Sequence, residues 1–134
     1  MRLLMSVVSG LVLALAVNAC SDSISPQSIV GLWAEDNSPA GNSLEITLAL
    51  NASVISGQGA WCGEALGCGL TSTTGTATGD KIHLVTTFDN GRIETFDGTL
   101  KSTNTLAGSA RDISGPQIEL PHAESFHRLN PAVP

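Results

Sequence analysis

Ser43-Leu44-Glu45-Ile46-Thr47-Leu48-Ala49-Leu50 alternates strictly, which places Leu44, Ile46, Leu48 and Leu50 on one face of an extended chain. A period of two is the spacing of a strand with one buried face. Lys81–Phe88 repeats the pattern, turning Ile82, Leu84, Thr86 and Phe88 inward and His83 outward. Between these two runs, Val54–Trp61 and Leu70–Thr78 are rich in Thr, Gly and Val and carry the period less firmly.

Turn chemistry falls at short intervals around these runs. Gly79-Asp80 separates the fourth run from the fifth, Asp89-Asn90-Gly91 precedes Arg92–Leu100, and Ser102-Thr103-Asn104 precedes Thr105–Arg111. No proline occurs between Ala40 and Gly115, which suits an uninterrupted hydrogen-bonded ladder. Ser114-Gly115-Pro116 and Pro121 then break it, and Gln117–Leu120 fits a short helix, an edge strand or a loop equally. With Ser28–Ala34 before and Glu124–Leu129 after, eight strands are expected. Consecutive hairpins predict an all-β antiparallel up-and-down meander, and closure into an eight-stranded barrel would remove its two open edges.

Gly31-Leu32-Trp33 on the first strand and Arg128 on the last resemble the calycin arrangement of lipocalin-like and avidin-like barrels. The resemblance implies a barrel plug in which Trp33 closes one end, Arg128 packs across its indole face and Gly31 belongs to the same motif. Trp61 and the segment Cys62–Cys68 are expected near one mouth. Gly57, Gly59, Gly98 and Gly108 fall on apolar faces, where they either mark bends of a small barrel or leave room for a ligand inside it.

The N-terminus reads as an address. Arg2 is the one charge before Cys20, and Leu3–Val17 is an apolar run of about 15 residues, against the roughly 20 that a spanning helix needs. Val17-Asn18-Ala19-Cys20 resembles the lipobox of bacterial lipoproteins. That resemblance implies a signal peptide over residues 1–19, a lipid on Cys20, a tether over residues 20–28 and a cell-envelope location on the periplasmic face or outer membrane. An ordinary signal cut near Ala14-Leu15-Ala16 is the alternative, and it would leave Cys20 a free thiol. The domain is then expected over residues 29–130, with a tail at 131–134.

In an exported chain Cys62 and Cys68 are expected to pair, since their spacing does not match the usual zinc pairs and no histidine lies nearby in sequence. Loss of the signal removes Arg2 and shifts the formal charge from −6 to −7, which argues against nucleic acid as a partner. No tyrosine occurs, and five aromatic residues offer little platform for stacking carbohydrate.

No catalytic set emerges, and no cofactor motif is present. His122-Ala123-Glu124 superficially matches the H-x-E of zinc deaminases, but the P-C-x-x-C that completes that site is absent. His122 and His127 are five apart, which sets them on opposite faces of a strand, so no metal ligands are assigned. The expectation is a non-enzymatic, membrane-anchored barrel that binds a small apolar ligand. The alternative is a module that contacts an envelope protein, such as a hydrolase inhibitor.

Overall fold

A computed structural model describes residues 24–38, 41–117 and 119–129. The expected signal over residues 1–19, Cys20 and the expected tail at 131–134 lie outside the described residues. A 3-10 helix, Pro26–Ile29, leads into eight strands: β1 (Gly31–Glu35), β2 (Ser43–Asn51), β3 (Val54–Gly63), β4 (Gly67–Thr78), β5 (Lys81–Phe88), β6 (Ile93–Ser102), β7 (Thr105–Asp112) and β8 (His122–Arg128). Each strand pairs antiparallel with the next, and β8 returns to β1 to close an up-and-down barrel. The closing register sets Trp33 opposite Arg128, Ala34 opposite His127 and Glu35 opposite Phe126.

Several boundaries differ from the expected ones: β3 runs on to Gly63 and β4 begins at Gly67, which puts both cysteines on strands, and two shifts at the ends of the domain bear on the core and the site. Residues 26–29 form a 3-10 turn instead of the start of β1, because Pro26 supplies a helical φ at the first position and the Ser25 side chain caps the Gln27 amide. The turn folds Ile29 completely inside, and Ile24 packs against the same core, so the domain begins before residue 29. At the other end β8 starts at His122, since His122 finds a partner in Ala110 on β7. No strand or helix is assigned to Gln117, Glu119 or Leu120.

Alternation then fixes the interior. Leu44, Ile46, Leu48, Ile55, Ile82, Leu84, Phe96, Leu100, Leu106 and Phe126 form one buried cluster with Trp33 and Trp61. Phe96 and Phe126 meet edge to face, their centroids 5.4 Å apart. Thr73 and Thr86, facing inward on β4 and β5, satisfy each other across 3.0 Å. The glycines on the inward faces have no room for a side chain. A Cβ on Gly57 would stand 2.7 Å from Leu48 Cδ2, and one on Gly108 would strike the Asp97 carbonyl on β6. Neighbouring atoms already occupy the space a side chain would need, so these glycines serve the close approach of adjacent strands.

Among the described residues no helix is long and apolar enough to cross a membrane. Cys62 and Cys68 lie directly opposite each other on β3 and β4 and form a disulfide that locks the hairpin at one end of the barrel. The closed loop is short, so the bond contributes only about 2 kcal/mol by restricting the unfolded chain. A Cys62→Ser/Cys68→Ser double variant should therefore stay folded, with its unfolding free energy from urea titration lowered by about 2 kcal/mol. A loss of more than about 4 kcal/mol would mean that the hairpin organises the core as well.

Candidate functional site at the open end of the barrel

The two ends of the barrel are chemically different. One is sealed. The Trp33 indole N–H donates to the Ile29 carbonyl at 2.7 Å, and the Arg128 guanidinium lies 4.6 Å over the Trp33 ring. The same guanidinium group donates from Nε to the Thr103 carbonyl at 2.9 Å and from its terminal nitrogens to the carbonyls of Val30 and Ser28. One arginine thus ties the 3-10 turn, β8 and the β6–β7 turn over the tryptophan. Gly31 is required beside it: its φ of +138° suits glycine, and a Cβ there would collide with the Arg128 guanidinium.

The opposite end gathers residues 36–38 and 41–42 between β1 and β2, the disulfide hairpin, the β5–β6 turn, and residues 113–117 and 119–121 between β7 and β8. It holds a cavity of about 270 Å³. Strand order divides the wall of this cavity into two arcs. From β2 to β5 come Leu44, Trp61, Leu66 on the hairpin and Phe88; from β6 round to β1 come Arg92, Glu94, His122 and Glu35. Trp61 is buried, packs edge to face on Phe88 at 6.2 Å and donates its indole N–H to Asp89 Oδ1 at 2.9 Å. Asp89 also accepts from the Leu70 amide at 2.9 Å. These bonds, the Leu70 amide first and the Trp61 indole second, hold its carboxyl below the usual range.

The charged arc is the less ordinary one. Glu35, Glu94 and Glu124 each sit two residues from an inward aromatic, namely Trp33, Phe96 and Phe126, so strand alternation turns all three carboxylates inward. On the intervening strand β7, Glu94 lies opposite Asp112 and Glu124 opposite Gly108, and the residue between those levels is the small Ala110, which leaves the two glutamates free to approach. Ligand atoms of Glu94, His122 and Glu124 all lie within 4.8 Å of one another. His122 Nε2 is 3.6 Å from Glu124 Oε2.

Among the described residues one guanidinium serves this layer. Arg92 bonds Glu94, reaches Asp112 Oδ2 at 3.2 Å and stacks 4.8 Å over the Phe88 ring. Glu124 is left without a comparable partner: it is 8% exposed, and its Oε1 has no hydrogen-bond partner among the described residues. Burial, then the neighbouring charges of Glu94 and Glu35, push its carboxyl up to about 8 against the opposing influence of Arg92. Burial likewise raises the Glu35 carboxyl; the Glu94 charge acts in the same direction, and Arg92 acts against it.

Trp61, Cys62 and Cys68 meet at this open end, whereas Gly31, Trp33 and Arg128 form the sealed one. His127 turns outward to Asp36, as its spacing from His122 implies, and His83 pairs with Asp97 across 2.6 Å on the outer face. Sequence reasoning about His122 and Glu124 missed Glu94 and Glu35, which barrel closure brings to them. Their placement was nonetheless signalled, because a glutamate in phase with inward aromatic residues has to face the interior. Comparison of the chain with known protein families, curated proteins and solved structures returns no match.

Proposed function

We propose that this chain is a lipid-anchored, non-enzymatic binding protein of the bacterial cell envelope. In this reading it is held at the membrane through Cys20 and takes a small ligand in the open end of its barrel. The observation that carries the reading is the position of the 270 Å³ cavity, at the barrel end opposite the one where the chain enters. Ile24 already belongs to the domain, so the link from a lipidated Cys20 is four residues long and spans at most about 14 Å. The sealed end is then the membrane-facing one, and the cavity opens away from the bilayer. A disulfide at that open end accords with an oxidising compartment.

The small apolar ligand belongs in the mouth, because the barrel below it is filled by its own side chains. The cavity lies just under the range of about 300–1,000 Å³ typical of drug-sized ligands, so its occupant is smaller than those. Its apolar portion would lie on Trp61, Phe88 and Leu44.

Two measurements test the two halves of this reading. Cys20→Ala should move the protein from the membrane to the soluble fraction with its far-UV spectrum unchanged; retention in the membrane would remove the anchor. An alcohol series from butanol to decanol should shift the tryptophan emission saturably, and Trp61→Phe should abolish the shift. A shift that survives in Trp61→Phe would place the ligand elsewhere.

A protein partner is the second reading, favoured by the rim: Leu66 and Leu120, 74% and 88% exposed, stand on loops of the same open end. Cross-linking in intact cells that depends on Leu66 and Leu120 but not on Trp61 would favour it over the small ligand.

A further inference from the structure

We infer that Glu94, His122 and Glu124 form a site for a borderline divalent cation of the zinc or manganese class, at the inner edge of the barrel mouth. The inference does not depend on the identity of any ligand in the cavity above. Two carboxylates and one imidazole converge from β6 and β8, with their ligand atoms within 4.8 Å of one another. Bonds of about 2.0–2.2 Å to a tetrahedral ion would bring such atoms to roughly 3.4 Å apart. The set must therefore contract by about an ångström or slightly more, within reach of glutamate rotamer changes.

A second observation is independent of the clustering. Glu124 is more than nine-tenths buried, and its Oε1 meets no donor among the described residues. A buried carboxylate oxygen without a donor is costly, and it persists where a proton or a cation supplies the missing partner. The resident cation Arg92 is already committed to Glu94 and Asp112. Four carboxylates, those of Glu35, Glu94, Asp112 and Glu124, therefore share one guanidinium, an excess that a dication would largely neutralise.

The donor set indicates the class of ion. One nitrogen with two carboxylates suits zinc, manganese or ferrous iron better than calcium, which takes six to eight oxygens. Arg92 on Glu94 acts from outside the ligand set and holds that carboxylate in orientation. His122 is exposed on the cavity side, so an ion held by three protein groups keeps a coordination position open towards the mouth.

The test uses the full chain in detergent, stripped with chelator and titrated with Zn²⁺ by calorimetry and with Mn²⁺ by NMR line broadening. One Zn²⁺ per chain is expected, with affinity reduced at least about tenfold in each of Glu94→Gln, His122→Ala and Glu124→Gln. His83→Ala and His127→Ala, which remove the imidazoles paired with Asp97 and Asp36, should leave the affinity unchanged. Mn²⁺ should broaden amides around Glu94 and residues 122–124 first, a readout that works in the wild-type chain even if a variant folds poorly. Absence of saturable binding, broadening centred on Asp36 and His127, or equal affinity in His122→Ala would overturn the site. None of these outcomes alters the Cys20 or Trp61 experiments.

Discussion

Trp33→Ala should destabilise the barrel by about 3–5 kcal/mol, the range for deleting a large aromatic side chain from a packed core. Trp33 is 1% exposed and belongs to the single buried cluster. Its removal also strips Arg128 of the ring it covers and frees the Ile29 carbonyl that accepts the indole N–H. In a domain of this size the loss amounts to a large share of total stability. The urea midpoint should fall by on the order of 2 M.

Intermediate variants separate the contributions. Trp33→Phe keeps the packing but forfeits the hydrogen bond, and should cost about 1–2 kcal/mol. Arg128→Lys keeps the charge but cannot stack a planar group while donating to three carbonyls, so it should behave almost as poorly as Arg128→Ala. If Trp33→Ala lost less than about 1 kcal/mol, the sealed end would be a lid on the core and not part of it.

Stability in the presence of chelator should fall as pH rises from about 4.5 towards 8, with a total on the order of 4 kcal/mol, because Glu124 is pushed up to about 8 by burial and by Glu94 and Glu35. Below the unfolded value of 4.5 the carboxyl is neutral in both states and costs little. As pH rises past it, the unfolded chain gives up this proton while the folded chain retains it. The folded state then binds the extra proton, so each pH unit lowers stability by up to about 1.4 kcal/mol. Once pH exceeds the folded value both states are ionised, and the penalty is constant.

The groups facing Glu124 act in both directions. Glu94 from β6 and Glu35 from β1 oppose its ionisation, and Arg92 favours it. Asp112 on β7 holds part of Arg92, and His122 stands beside the carboxyl. Glu124→Gln removes the titration, so its denaturation midpoint should vary less with pH and exceed that of the parent at pH 8.5. A parent profile that rises between pH 5 and 8 would show that Glu124 is already ionised in the folded chain.

Much of the architecture can be traced to particular stretches of sequence. Ser43–Leu50 and Lys81–Phe88 specify their buried faces by alternation alone, and Gly79-Asp80 and Asp89-Asn90-Gly91 turn the chain where the hairpins turn. The beginning of the domain was less legible. Ser28–Ala34 has the composition of a strand, yet Pro26 and Ser25 favour a helical turn, and that turn wins because it places Ile29 and Ile24 in the core. At the other end, His122 becomes strand because Ala110 is there to pair with it, which a local reading of residues after Pro121 has no means to register.

The open end shows the same division. Cys62 and Cys68, with five residues between them, are expected to pair from their spacing in a chain read as exported, and they do. Local sequence alone determined the strand alternation, the hairpin turns, the disulfide pairing and the inward phase of Glu35, Glu94 and Glu124. Tertiary structure alone decided that Glu94 and Glu124 meet beside His122, that Arg92 is divided between Glu94 and Asp112, and that Glu124 Oε1 has no donor among the described residues. Alternation is a property of adjacent residues, so it is written locally. Proximity between β1, β6 and β8 arises only when the first and last strands pair and the small side chains of β7 let the carboxylates approach across it.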